Sequence, residues 1–570
     1  MKTSLLALTL ASLAAAPAAS AGDSHEYFTR SHAAALPRLL SDEDRAYYAA
    51  LYTAIDGKDW AKVEEMLVQR GDGPLHGAAL AAYFLHENSP RIELPRIEAW
   101  LSKYAALPQA DAVVRLGRTR GLVEAPALPA MRELVRQPGI TRRNRPSPVT
   151  DGTMPDAVAK AILERIDQDD PDGARLLLDG IDAGLSPAAR AEWRQRIAWS
   201  YYIENLDPQA LALAETVRDG GSGAWIAEGD FTVGLAAWRL GECERSAAGF
   251  RRAATGATNP ELSAAAHYWA ARALIRCRQP GQADEHWRAA ARHTETLYGM
   301  LAREQLGQPL PRDHAAPDLS ADDWRRLSAA PGARQAVMLA EIGRREQADE
   351  ALRWQVRAGN AADFAALSRL ARALGLAGAQ TFMAYNAPRG AAAVPALRFP
   401  VGSHQPVGGW RIDPALAFAH ALQESNFRES VVSPANAIGL MQIRPIAARE
   451  YAASIRMNVG EVDLKDPATN LAFGQRALEA LARDGFTQGR LPKVMAAYNA
   501  GPTPVSRWNG EVRDQGDPLL WMESIPYWET RAYVAIVMRN YWMYLRQADA
   551  PAPSRTALAQ NEWPQFPGVR

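Results

Sequence analysis

Cysteine is nearly absent: among 570 residues there are two, Cys243 and Cys277. Neither has a neighbouring His in sequence, so no redox chemistry is assigned to them. In an oxidising compartment the pair forms at most one disulfide, provided its Cα atoms come within roughly 7 Å. The alternative is two buried, small apolar side chains. Excess charge of one sign is missing too, with 64 Lys and Arg against 64 Asp and Glu. That balance removes the broad basic footprint of a nucleic-acid binder. After the amino end no run of eighteen or so apolar residues occurs, which excludes a predicted membrane-spanning helix. The ten histidines are scattered without metal-ligand spacing, and neither a metal nor a cofactor is implied.

What is present begins with "MKTSLLALTLASLAAAPAASAGD", one Lys, an apolar core and an Ala19-Ser20-Ala21 cleavage pattern. This reads as a secretory signal over 1–21, with no Cys at the cleavage point to accept lipid, and predicts an exported protein. From residue 25 to about 390 the chain is Ala-rich and helical in pattern, with few β-branched runs. The segments "AAWRLGECERSAAGFRRAA" (236–254) and "YWAARALIRCRQPGQADEHWRAAA" (268–291) share a plan of Trp, helix, Gly-containing turn, Ala and a second aromatic. "VMLAEIGRREQADEALRW" (337–354) echoes it. Such self-similarity predicts stacked helical hairpins, an α-solenoid, rather than an irregular bundle. Basic, Pro-rich "RQPGITRRNRPSPVTDG" (136–152) reads as a solvated loop or a break between solenoid halves.

Gly and Pro in "RFPVGSHQPVGGWRIDP" (398–414) mark a boundary near 400. The expected organisation is all-α: a helical-repeat superhelical domain over 22–290, a helical linker domain over 291–400, a compact block over 401–546 and a tail over 547–570 that stays flexible or lies over the surface.

Within the compact block, Asp413-Pro414 supplies an N-cap and a first-turn proline for a helix running to about Asn426. Its spacing puts Ala417, His420, Ala421 and Glu424 on one face. Apolar neighbours and the negative end of the helix dipole favour the protonated form of Glu424, a carboxylic acid able to donate near pH 7. The plainer reading is a salt-bridged helix end. His420 reads as structural rather than catalytic. "GLMQI" (439–443) is expected as a short extended segment, with Gly439 allowing close backbone approach. Capped helices follow from Asp466-Pro467 and from Pro492 through "AYNAG" to Gly501, and a last long helix spans 527–545 with Glu529 at its start. Glu429 is expected to be solvated. The Trp residues of this block read as core rather than sugar platforms.

Four stretches in order, "QESNF", "SPANAIGLMQI", "AYNAG" and "IPYWETRAYV", resemble the motif regions of the soluble lytic murein transglycosylases. That family joins a ring-shaped helical superdomain to a catalytic domain similar to goose-type lysozyme. The segment "TLYGMLAREQLGQPLP" (296–311) is similar to the family's linker. The resemblance implies a periplasmic enzyme acting on peptidoglycan glycan strands, without a cofactor, and leaves protein partners open. It implies Glu424 as the catalytic acid. Ser433, Met441, Gln442, Tyr498, Asn499 and Glu529 are implied as residues that contact sugar or position the acid. Asn436 stands where members usually carry Gly, and Arg444 where many carry a second Met. A single carboxyl group suffices if the sugar itself supplies the 2-acetamido oxygen and the 6-hydroxyl, yielding a 1,6-anhydro end. A water-using muramidase and an inert solenoid scaffold are the alternatives.

Overall fold

The computed structural model describes residues 24–30, 36, 38–311 and 317–568; the leader assigned to 1–21 lies outside the described residues. The fold is all-α. Among the described residues the sheet content is one antiparallel ladder of two short strands, Leu134–Arg136 against Asn386–Pro388, with Leu134 opposite Pro388.

The sequence repeats are helical hairpins. Trp225–Leu240 pairs with Cys243–Gly256, Pro260–Arg276 with Pro280–Ala291, and Pro331–Glu341 with Arg345–Ala358. Small residues set the spacing: a Cβ on Gly249 would stand 2.7 Å from the Gly234 nitrogen. Aromatics fill the seams, as where Phe250 stacks on Trp269 with ring centroids 5.7 Å apart. Gly241 and Gly343 close the first and third hairpins in the left-handed conformation. In the middle hairpin Arg278 takes that place, and Gly281, expected in the turn, lies inside the next helix. Cys243 and Cys277 are joined in a disulfide, with Cα atoms 5.4 Å apart.

The helices do not pack in sequence order. One core unites residues between Leu40 and Val114 with residues between Leu319 and Leu397. A second unites those between Ile162 and Leu310 with the C-terminal block from Phe399 to Leu558. Helix Leu297–Gln305, from the linker-like segment, packs in this second core against both the hairpins and the long helix Trp528–Gln547. Among the described residues no helix is long and apolar enough to cross a membrane.

One expectation needs correction. The basic stretch 136–152 is a strap that ties the helical body to the C-terminal block. Arg143 bridges Glu228 (3.0 Å) and Glu523 (2.9 Å), and the carbonyl of Thr141 accepts from Arg539 at 2.9 Å. Acidic partners far along the chain hold what its composition alone would leave in solvent. The tail takes the second of its two expected placements and lies over the surface. Helix Pro553–Ala559 buries Leu558 and sits on helix Leu297–Gln305, with Arg555 and Thr556 both bonded to Glu304.

Candidate active site

The helix carrying Glu424 starts as its sequence dictates: the Asp413 side chain accepts from the Ala415 N–H at 2.9 Å, and Pro414 follows. It is apolar on all sides and buried from Pro414 to Leu422, so it forms an interior rod packed on the long helix Trp528–Gln547. It ends at Glu424, two residues before the expected Asn426, because Asn426 (φ 52°) and Phe427 (φ 59°) both enter the left-handed region. Two consecutive non-glycine residues there are costly. Burial of the Phe427 ring beside Phe418 compensates.

Glu424 thus stands at the end of a buried helix, itself half-buried. Its Oε1 accepts a hydrogen bond from the Tyr533 hydroxyl at 2.6 Å. Burial raises its pKa to about 7, the negative charge of Glu529 adds to the rise, and the bond from Tyr533 opposes it. Near neutral pH this carboxyl group therefore populates both acid and base. Glu529 is exposed in the first turn of the long helix, one turn before Tyr533.

Residues 431–443 form a tight hairpin. Isolated bridges join Val432 to Ile438 and Ile438 to Ile443. The Ser433 hydroxyl accepts from the Ala437 N–H at 3.0 Å, and Asn436 takes φ 57°, so the turn is kept without glycine. "GLMQ" is a turn and not the extended segment expected: the Gln442 N–H bonds back to the Gly439 carbonyl, and Gln442 itself has φ 49°. Its side chain donates to the Gly439 carbonyl at 2.9 Å, which braces the turn. Gly439, at φ 77°, has no room for a Cβ, which would lie 2.5 Å from the Leu464 carbonyl oxygen. Met441 is fully buried over Gly474, which leaves its side chain no surface for direct sugar contact.

The Met441 carbonyl accepts from Tyr498 of helix Leu491–Ala500 at 2.8 Å, and the Tyr498 ring lies 4.9 Å from that of His420. Asn499 accepts from Thr530 at 2.7 Å, joining "AYN" to the long helix. Tyr498, Asn499 and Glu529 therefore stand on elements that contact one another and the Glu424 helix, while Ser433 and Gln442 shape the adjoining turn. Glu429 is half-buried and paired with His404 at 2.9 Å rather than solvated. Trp508, Trp521 and Trp542 fill the core.

Tyr533 was not singled out by sequence. Its signal was the spacing of four from Glu529 within "ETRAYV", which puts both on one helical face. His420 is fully buried, with Nδ1 at 2.8 Å from the Tyr533 hydroxyl, and burial lowers its pKa to about 3.

Residues 405–520 match the family model described as Transglycosylase SLT domain. The match covers three of the four motif stretches, "QESNF", "SPANAIGLMQI" and "AYNAG", and supports the resemblance to the soluble lytic transglycosylases. Among relatives, the soluble lytic murein transglycosylase of Escherichia coli (strain K12) is 37% identical over 157 residues, which is 27% of this chain and 24% of that protein. The Salmonella typhimurium protein of the same name is 36% identical over 160 residues, again 27% and 24%. The matched segment spans about a quarter of these relatives' length. In fold, the chain is similar to the lytic transglycosylase Slt of Pseudomonas aeruginosa, solved as an inactive mutant, with a TM-score of 0.50, 18% identity and 90% of each chain covered.

Proposed function

We propose that this protein is a peptidoglycan lytic transglycosylase that cleaves the β-1,4 bond between N-acetylmuramic acid and N-acetylglucosamine without water. The observation that carries this reading is the single carboxyl group of Glu424, held at a pKa of about 7 by burial and anchored through Oε1 by Tyr533. In its acid form Glu424 donates a proton to the glycosidic oxygen. The C1–O4 bond breaks, and the N-acetylglucosamine side leaves with that proton as its 4-hydroxyl. The 2-acetamido oxygen of the muramic acid ring stabilises the positive charge at C1. The 6-hydroxyl oxygen then bonds to C1 and returns its proton to the Glu424 carboxylate, giving a 1,6-anhydro end and restoring the acid.

Proton transfer by a positioned group contributes roughly two to four powers of ten, and orientation and electrostatics supply the remainder. Tyr498 and Gln442 serve that positioning through the Met441–Gln442 turn, Ser433 and Asn499 line the sugar's path, and Glu529 contacts sugar while keeping Glu424 protonated. Ordinary glycosidases pair two carboxyl groups at fixed separations. Here Glu529, exposed in the first turn of the long helix, suits a supporting role rather than a nucleophile. The amino-terminal signal pattern supports a periplasmic location, where peptidoglycan is reached.

Mass analysis of products from purified sacculi tests the reading. Wild-type protein is expected to release anhydro-muropeptides, and Glu424→Gln to fold and release none. Products heavier by one water would mean a muramidase; normal turnover by Glu424→Gln would remove Glu424 from the chemistry.

A further inference from the structure

The geometry points to His420 as a positioning residue that fixes the Tyr533 hydroxyl as a donor to Glu424 Oε1, confining the acid's transferable proton to Oε2. This rests on the acid–base role proposed for Glu424.

Three groups form a chain: His420 Nδ1 lies 2.8 Å from the Tyr533 oxygen, which lies 2.6 Å from Glu424 Oε1. A phenol has one proton to give. If His420 carries its proton on Nδ1, that N–H donates to the Tyr533 oxygen, and the phenol proton points to Glu424. If the proton sits on Nε2 instead, Nδ1 accepts from Tyr533, and Glu424 loses its donor. The surroundings choose between the tautomers. His420 is fully buried, and Nε2 has no hydrogen-bond partner among the described residues. An orphaned buried N–H is rarer and costlier than an under-satisfied acceptor, so the proton belongs on Nδ1. The groups facing this chain are Tyr533 and Glu529 from the long helix and Tyr498 from helix Leu491–Ala500. None of them supplies a cation that would reverse the order.

The consequence is directional. With Tyr533 always donating, Oε1 acts as an acceptor in both protonation states of Glu424. The proton that leaves for the glycosidic oxygen, and the one that returns from the 6-hydroxyl, must use Oε2. Loss of the imidazole frees the phenol to rotate and weakens its bond to the carboxylate. The proton is then shared between both oxygens, and the acid form is favoured.

Two measurements test this on the full-length protein. Imidazole nitrogen NMR, with His420 assigned by difference from His420→Asn, should show a protonated Nδ1 and a bare Nε2; a protonated Nε2 overturns the proposal regardless of activity. In sacculus turnover, His420→Leu should lower kcat about tenfold with KM little changed, and move the alkaline limb of kcat/KM upward by about half a pH unit. His420→Asn, whose amide N–H substitutes for Nδ1–H, should restore most of both, whereas a packing role would be rescued by Leu and leave the limb in place. In a Tyr533→Phe background His420→Leu should move the limb no further; an additional shift there refutes transmission through Tyr533. Should wild-type protein release no muropeptides, the proposed function fails while the tautomer result still stands or falls alone.

Discussion

Replacing Glu424 by Gln should make the protein more stable, and by an amount that depends on pH. The ordinary glutamate pKa is 4.5, and burial holds this one at about 7. Between those values the folded state binds more protons at Glu424 than the unfolded state does, so stability falls as pH rises through this window. Below pH 4.5 both states are protonated and there is no penalty. Above 7 both are ionised, and the full cost is present. At about 1.4 kcal/mol for each pH unit, the interval amounts to about 3 kcal/mol. Glutamine keeps the shape and a polar contact to Tyr533 but never ionises. The thermal unfolding midpoint of Glu424→Gln should therefore match that of wild type near pH 4 and exceed it at pH 8, with the gap opening between. A constant gap, or one that closes as pH rises, would refute the claim that burial forces the proton onto Glu424.

Glu529→Gln removes the negative charge that helps keep Glu424 protonated. The alkaline limb of turnover should move down by about half a pH unit at low ionic strength and by less in high salt, measured on sacculi across pH. Gly439→Ala places a Cβ at φ 77° within 2.5 Å of the Leu464 carbonyl oxygen. It should cost about 2–4 kcal/mol and abolish turnover, read by thermal unfolding beside muropeptide release.

Local chemistry was legible in the sequence. Asp413-Pro414 and Asp466-Pro467 open helices with the side-chain caps expected, Gly501 ends one at φ 87°, and the three repeats are hairpins. The burial of Glu424 was legible because an acidic residue sits in an otherwise apolar run. What escaped depends on partners hundreds of residues away. Nothing near Arg143 announces Glu523, 380 positions on. Tyr533 lies beside the apolar run Val534–Met538 of its helix, where a tyrosine reads as core, and its hydroxyl acquires meaning only when the Glu424 helix packs alongside. The left-handed Gln442 was missed because a non-glycine residue at φ 49° is held there by its bonds to Gly439, not by its own preference.

The same long-range logic governs how the helical body meets the long helix that carries Glu529 and Tyr533. Arg539, fully buried on that helix, bonds to Glu261 at 3.1 Å, and Glu261 in turn accepts from Thr141 of the strap at 3.0 Å. Burial pulls the Arg539 pKa down and pushes that of Glu261 up, so each ion stays charged mainly because the other is there. Such a pair adds little net stability compared with apolar side chains of similar size, yet breaking it strands a charge. Glu261→Gln alone should therefore cost about 3–5 kcal/mol, seen as an earlier unfolding midpoint. Glu261→Leu combined with Arg539→Met should recover most of that loss. If the double variant is no more stable than Glu261→Gln, the pair contributes stability outright and is not a device for fixing how body and C-terminal block dock.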